Sequence, residues 1–193
     1  MGIPKSFVRN AEIYGEGEPT EHLYRVVNGT VRTCKLLSDG RRQVASFHLP
    51  GEIFGVELRD ERSFSAEAIS DAVVLVFKRS AMIELAQRDG DAARDLWILT
   101  AHQLQQAQDH LLLLAKSAQE RVAAFLLEMA MRMPDGNAID LPMSRRDVAD
   151  YLGLTIETVS RTLTQLENDA AIELPTSRRV VLRNRASLGC LSA

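Results

Sequence analysis

From residue 12 to residue 78, short apolar runs alternate with polar turns. LYRVVNGTVRTCKLL holds two such runs split by Asn28-Gly29, a dipeptide that signals a hairpin. Ser38-Asp39-Gly40 marks the next turn, before QVASFHL. Pro50-Gly51 marks another, and FSAEAISDAVVLVF follows. Short strands at regular spacing with glycine turns predict an all-β sandwich or jelly-roll barrel.

The period then lengthens. Ser80 opens a short helix-like segment, AMIELAQRD. Residues 91–116 carry the longest helical pattern of the chain. Trp97, Ala101, Leu104, Gln108, Leu111 and Ala115 recur by four and three, the spacing of a coiled-coil seam. Apolar residues lie on a second side as well, so the helix is expected both to cover the barrel and to meet its twin. Residues 116–133 predict a further helix with Val122, Phe125, Leu126, Met129 and Met133 apolar and its methionines in the core, broken by Pro134-Asp135-Gly136-Asn137.

The most informative pattern is MSRRDVADYLGLTIETVSRTLTQL, residues 143–166. Ala149, Gly153 and Val159 sit at helix-turn-helix spacing: a small residue where helices touch, a glycine for the tight turn, and a valine packing one helix on the other. Ser144 is a good N-cap with Asp147 three residues on, and Thr155 can cap the second helix. Val159, Leu163 and Leu166 form a buried stripe. Glu157, Ser160, Arg161 and Thr164 recur on a different face. Arginine can donate twice to guanine, glutamate can accept from cytosine, and serine serves either way. Glu157 and Arg161 are one turn apart, so the carboxylate can hold the guanidinium. Taken alone, Glu157, Ser160 and Arg161 read first as a solvated helix face; behind the helix-turn-helix frame they predict DNA reading. In AIELPTSRRVVLRN, two short runs around Pro175 predict a hairpin, hence a wing, with Arg178 and Arg179 at its turn as candidate phosphate contacts or ordinary solubilising charges.

Composition changes the picture only a little. At 193 residues and 46% hydrophobic, the chain can form two small domains. No stretch is apolar and long enough to span a membrane, and MGIPKSFVRNAEIYGEG has no signal-peptide core, so a bacterial-type cytoplasmic protein is expected. Two cysteines, Cys34 and Cys190, do not suggest a disulfide framework. The net charge is −3, and from Asp140 onward seven arginines balance seven acidic residues. Nucleic acid therefore requires arginines clustered in space rather than in number.

Barrel, long helix and winged helix-turn-helix, with LPGEIFG, AQERVAAFLLEMA, MSRRDVADYLGL and TIETVSRTLTQLE, resemble the Crp/Fnr superfamily of bacterial transcription regulators along nearly the whole chain. EIYGEGEP, VRTCKLLSDGRRQ and LTIETVSRTLTQLE are most similar to its FixK group. The resemblance implies an α+β architecture: a cyclic-nucleotide-binding-like barrel (residues 1–90), a dimerisation helix (91–116) and a winged helix-turn-helix (117–193). It also implies a homodimer on a TTGA-type palindrome of double-stranded DNA that recruits RNA polymerase, usually as an activator of genes for low-oxygen life or nitrogen fixation. Glu157, Ser160 and Arg161 match the family's half-site readers. Thr155, Thr164, Ser144, Arg178 and Arg179 complete the expected DNA-contacting set.

The family's sensory chemistries can be tested residue by residue. An Fnr-type iron–sulfur cluster needs about four thiolates or equivalent ligands, and residues 1–33 hold no cysteine. The cyclic-nucleotide cassette wants a Gly-Glu pair and an Arg-Ser pair. Here valine follows Gly55, Glu57 is displaced by one, and Phe64 follows Arg62-Ser63. Arg62 without its ribose partner is expected to be a surface charge. His22, His48, His102 and His110 offer no evident haem site. His48 reads as an ordinary strand residue, while His102 and His110 suit a dimer face or solvent. The expectation is a regulator without bound cofactor or metal. Cys34 reads as core. Cys190, past the wing and near arginines, is either a thiol switch beside DNA or an inert tail cysteine. Two alternatives remain: a ligand-gated regulator of the same fold, and a cupin-type enzyme. The second lacks a ligand cluster, since only His22 and His48 fall in the barrel, and the chain is expected not to be an enzyme.

Overall fold

The computed structural model describes residues 2–133 and 137–192. It divides into two compact units, Met1–Gln108 and Asp109–Ala193. The expected break at Pro134, Asp135 and Gly136 lies outside the described residues.

The first unit is built on eight strands: β1 (Ile3–Phe7), β2 (Glu12–Tyr14), β3 (His22–Asn28), β4 (Val31–Leu36), β5 (Arg42–His48), β6 (Ile53–Phe54), β7 (Ser65–Ala68) and β8 (Ala72–Lys78). They form two four-stranded antiparallel sheets, ordered β1-β8-β3-β6 and β2-β7-β4-β5. Val26, Val31, Val44, Ala66, Ala68 and Val74 are fully buried between them.

Asn28-Gly29 does not make the expected hairpin. β3 pairs with β6 and β8, whereas β4 pairs with β5 and β7, so the turn is a corner between sheets. Gly29 has φ +80°, and a Cβ there would stand 2.2 Å from the Asp71 carbonyl oxygen. Glycine lets the two crossing segments touch, and Thr30 N–H donates to Ser70 Oγ beside it. Ser38-Asp39-Gly40 does close a hairpin, between β4 and β5.

Helix α1 (Arg79–Arg88) follows, then α2 (Gly90–Leu113), which ends three residues short of the expected boundary. Ala115 therefore lies in the turn beyond the helix rather than on the seam. The rest of the seam is exposed, with Trp97 74% accessible and Leu104 and Leu111 open beside it. Leu96, Leu99, Gln103 and Gln106 form a second, partly covered stripe, and Gln103 Nε2 donates to the Ile53 carbonyl at 3.0 Å.

The second unit takes the last turn of α2 together with α3 (Ala118–Arg132), β9 (Ala138–Asp140), α4 (Arg145–Leu152), α5 (Ile156–Asn168), β10 (Ile172–Glu173), β11 (Arg179–Leu182) and α6 (Arg185–Ser192). Ser117 and Glu120 close a capping box on α3. Val122, Phe125, Leu126 and Met129 face the core, while Met133 is half-buried and Met131 exposed. The wing has three strands, β10-β11-β9. Cys190 is on no loose tail: it rides exposed on α6, whose Leu188 is fully buried where α6 packs on α3.

Candidate nucleic-acid interface

Ser144 caps α4 and Thr155 caps α5, so both helices of the motif start where their caps dictate. Between them Gly153 holds φ +62° and ψ 38°, the left-handed C-cap conformation. Ala149 is buried, its carbonyl accepts from Gly153 N–H and Leu154 N–H, and Val159 is fully buried against this frame.

On α5 the two faces separate. Val159, Thr162, Leu163 and Leu166 are buried. Glu157, Arg161 and Thr164 are exposed and Ser160 is half-buried beside them. A shallow surface groove runs along Ser160, Arg161, Thr164, Gln165 and Asn168. Gln165 and Asn168 extend the face by one further turn. The face read from the sequence ends at Thr164; the same helical period continued by four residues from Arg161 and Thr164 reaches both, and their side-chain amides can donate and accept.

Glu157 titrates below the ordinary carboxylate range. Its own backbone N–H is the main cause, then the Thr155 hydroxyl, with the Arg161 and Arg146 charges adding at longer range. The carboxylate is thus ionised before anything binds. Arg161 makes no ion pair or side-chain hydrogen bond among the described residues, so its five donors face solvent. The expected Glu157–Arg161 clasp is an electrostatic influence rather than a contact. Thr164 Oγ1 donates to the Ser160 carbonyl at 3.2 Å.

Three expected contact residues are otherwise engaged. The Ser144 hydroxyl donates to Asp147 Oδ2 at 2.7 Å and accepts from Asp147 N–H at 3.2 Å. The Thr155 hydroxyl accepts from Thr158 N–H, although Thr155 remains exposed. Arg179 pairs with Asp140 at 3.2 Å across the wing. Arg178 stays exposed at the wing turn with its side chain unpaired among the described residues.

The barrel corrects one expectation. Arg62 is only 3% accessible. Its guanidinium carbon lies 4.2 Å from the Tyr14 ring centroid, Nη1 donates to the Gly55 carbonyl at 2.7 Å, and Nη2 donates to the His22 carbonyl. Glu57 stands 3.8 Å from Nη1 and accepts from Ser63 N–H at 2.7 Å. Sequence alone saw an arginine lacking a ligand partner; the chain itself supplies backbone carbonyls. Tyr24 and Phe54 stack at 5.2 Å, His48 stacks on Phe54 at 4.9 Å, and Thr33 Oγ1 lies 3.2 Å from His48 Nε2. Cys34 is buried in β4, where burial raises its thiol pKa.

A jelly-roll barrel, a long helix and a winged helix-turn-helix together define the Crp/Fnr class of transcription regulators. Residues 4–89 match the cyclic nucleotide-binding domain and residues 120–191 the Crp-like helix-turn-helix domain. The chain is 52% identical to the nitrogen fixation regulation protein FixK of Azorhizobium caulinodans, over 97% of this chain and 78% of that protein. It is 45% identical to FixK of Rhizobium meliloti, over 93% and 82% of the respective chains. The solved structure of FixK2 from Bradyrhizobium japonicum superimposes with a TM-score of 0.96 at 50% identity, covering 100% of this chain and 98% of that one. The chain belongs to the FixK group of the Crp/Fnr family, the transcription regulators that bind DNA through this helix-turn-helix. Among the described residues, no helix is long and apolar enough to cross a membrane.

Proposed function

We propose that the protein is a homodimeric activator, not an enzyme, that reads a TTGA-type palindrome and turns on nitrogen-fixation or low-oxygen genes by contacting RNA polymerase. One observation carries the DNA reading: Glu157, Ser160 and Arg161 share the uncovered face of α5, with Arg161 unpaired while the opposite face is buried. Glu157 and Arg161 read base edges, Ser160 assists, and Arg178 meets phosphate. Ser144 acts through its cap, Arg179 through its pair with Asp140, and Thr155 by starting α5. The exposed seam of Trp97, Leu104 and Leu111 fits a second copy of α2. Such a dimer carries two recognition helices and demands a two-fold site.

The same reading holds that no effector is needed. A cyclic nucleotide does not fit the residues present. Arg62 spends both terminal nitrogens on the carbonyls of Gly55 and His22, and the Tyr14 ring covers the guanidinium face. Glu57 is turned to Ser63 and Arg62 rather than held open as a ribose acceptor.

The base-reading assignment is tested by Arg161→Ala on palindromes carrying single base changes. The variant loses about 1–3 kcal/mol on the native site and ceases to discriminate at one position per half-site. Equal loss on specific and random DNA would make Arg161 a phosphate contact instead.

A further inference from the structure

Outside the recognition face, one charged side chain is tied to more of the backbone than any role so far accounts for. Arg121, on the first turn of α3, donates only to carbonyl oxygens. Nε reaches Lys116 at 2.8 Å and Nη2 reaches Leu114 at 2.6 Å. Nη1 reaches Leu152 at 2.9 Å and Gly153 at 3.5 Å. The first two acceptors lie in the connector just after α2, and the other two end α4 at the motif's turn. Carbonyls at helix ends lack intrahelical partners and carry the negative end of the helix dipole. One guanidinium ties the connector to the end of α4, and its rigid planar fork tolerates little shift of either.

Packing around the fork follows the same line. Leu113 is buried at the end of α2. His110, one turn earlier, lies tilted against the Tyr151 ring of α4 with centroids 4.3 Å apart, and the Tyr151 hydroxyl donates to Glu128 of α3 at 3.3 Å. A Cβ on Gly153 would meet Arg121 Nη1 at 3.5 Å and Leu114 Cδ2 at 3.6 Å, so connector, arginine and turn are in mutual contact.

We propose that Arg121 is a positioning residue for DNA reading: by locking the connector at residues 114–116 to the end of α4, it sets the angle at which α5 stands to the last turn of α2. A dimer reading two half-sites needs that angle fixed in both copies; binding to one half-site does not. The proposal rests on the palindrome reading above, and its test separates the two.

The full-length protein, Arg121→Gln and Arg121→Lys are titrated by fluorescence anisotropy against a TTGA-type palindrome and against a duplex with one half-site. Titration is at one salt concentration and at a temperature where circular dichroism shows the proteins folded. Lysine keeps the charge but replaces the fork with a single point donor. Both variants are expected to keep the half-site affinity of the parent. The palindrome-to-half-site ratio falls about tenfold or more in the glutamine variant, the worth of a single charged hydrogen bond, and by less in the lysine variant. Equal losses on both duplexes, an unchanged ratio, or failure of both variants to fold would make Arg121 only a stabilising residue and overturn the proposal. A parent that itself shows no preference for the palindrome would refute the palindrome reading instead.

Discussion

Replacing Gly153 with alanine isolates the cost of one backbone conformation at the centre of the DNA-binding motif. Gly153 occupies φ +62° and ψ 38°, where an L-residue with a Cβ is disfavoured by about 1–2 kcal/mol. Steric crowding adds little, because the nearest atoms to the new Cβ would be 3.5 and 3.6 Å away, ordinary van der Waals contact. The predicted loss is therefore about 1–2 kcal/mol, confined to the second unit, and Gly153→Asn loses less because asparagine visits this region more readily. The chain forms two compact units, so one melting temperature does not define the effect. Native-state hydrogen exchange does, by reporting opening energies amide by amide. Amides of α4 and α5 should open more easily by that amount while those of β3, β4 and β8 stay unchanged. No change in the motif would refute the conformational argument. A loss above about 4 kcal/mol would show that the turn has no room for a methyl group.

Three further perturbations discriminate among the assignments. Ser144→Ala removes both hydroxyl bonds of its cap and should cost about 0.5–2 kcal/mol of stability without relaxing any base preference; altered specificity with unchanged stability would return Ser144 to the DNA-contacting set. Trp97→Lys on the open seam of α2 forfeits at least the worth of a large apolar side chain in each copy, about 1.5–3 kcal/mol, so sedimentation should show dimers dissociating at concentrations about a hundredfold higher or more. An undisturbed dimer would place the interface elsewhere. Burial lowers the pKa of His110 from its ordinary 6.5. The unfolded chain then binds more protons, so this contribution to stability is complete above that value and declines as pH falls through it. The second unit should unfold at lower urea concentration on acidification, and His110→Phe, which keeps a ring against Tyr151, should flatten the slope. A slope as steep in the variant would assign the titration to another group.

The sequence was most legible where the determinants are local. The helix-turn-helix announced itself because caps, a left-handed glycine and a buried stripe fall within 24 consecutive residues, 143–166. Sheet membership was less legible. Asn28-Gly29 reads as a hairpin within its own window, yet the deciding contact is with Asp71, far along the chain. Helix α6 escaped notice because RASLGCLS is short and rich in small residues; the packing of Leu188 on α3 holds it. Arg62 and Arg121 were misjudged or passed over for a common reason. Both donate their terminal nitrogens to backbone carbonyls, which every residue possesses and no motif records. Arg179 could not be weighed until β9 brought Asp140 beside β11.

The central claim is that this dimer recognises its palindrome unaided. Purified protein, in air and with no added ligand, should be titrated by fluorescence anisotropy against a TTGA-type palindromic duplex and a scrambled duplex of the same length. The salt must be fixed near physiological, because phosphate contacts make affinity steeply salt-dependent. Binding about a thousandfold or more tighter to the palindrome is the predicted result. Equal affinity for the two duplexes, with selectivity appearing only after a small molecule is added, would contradict the effector-free account and favour a ligand-gated regulator.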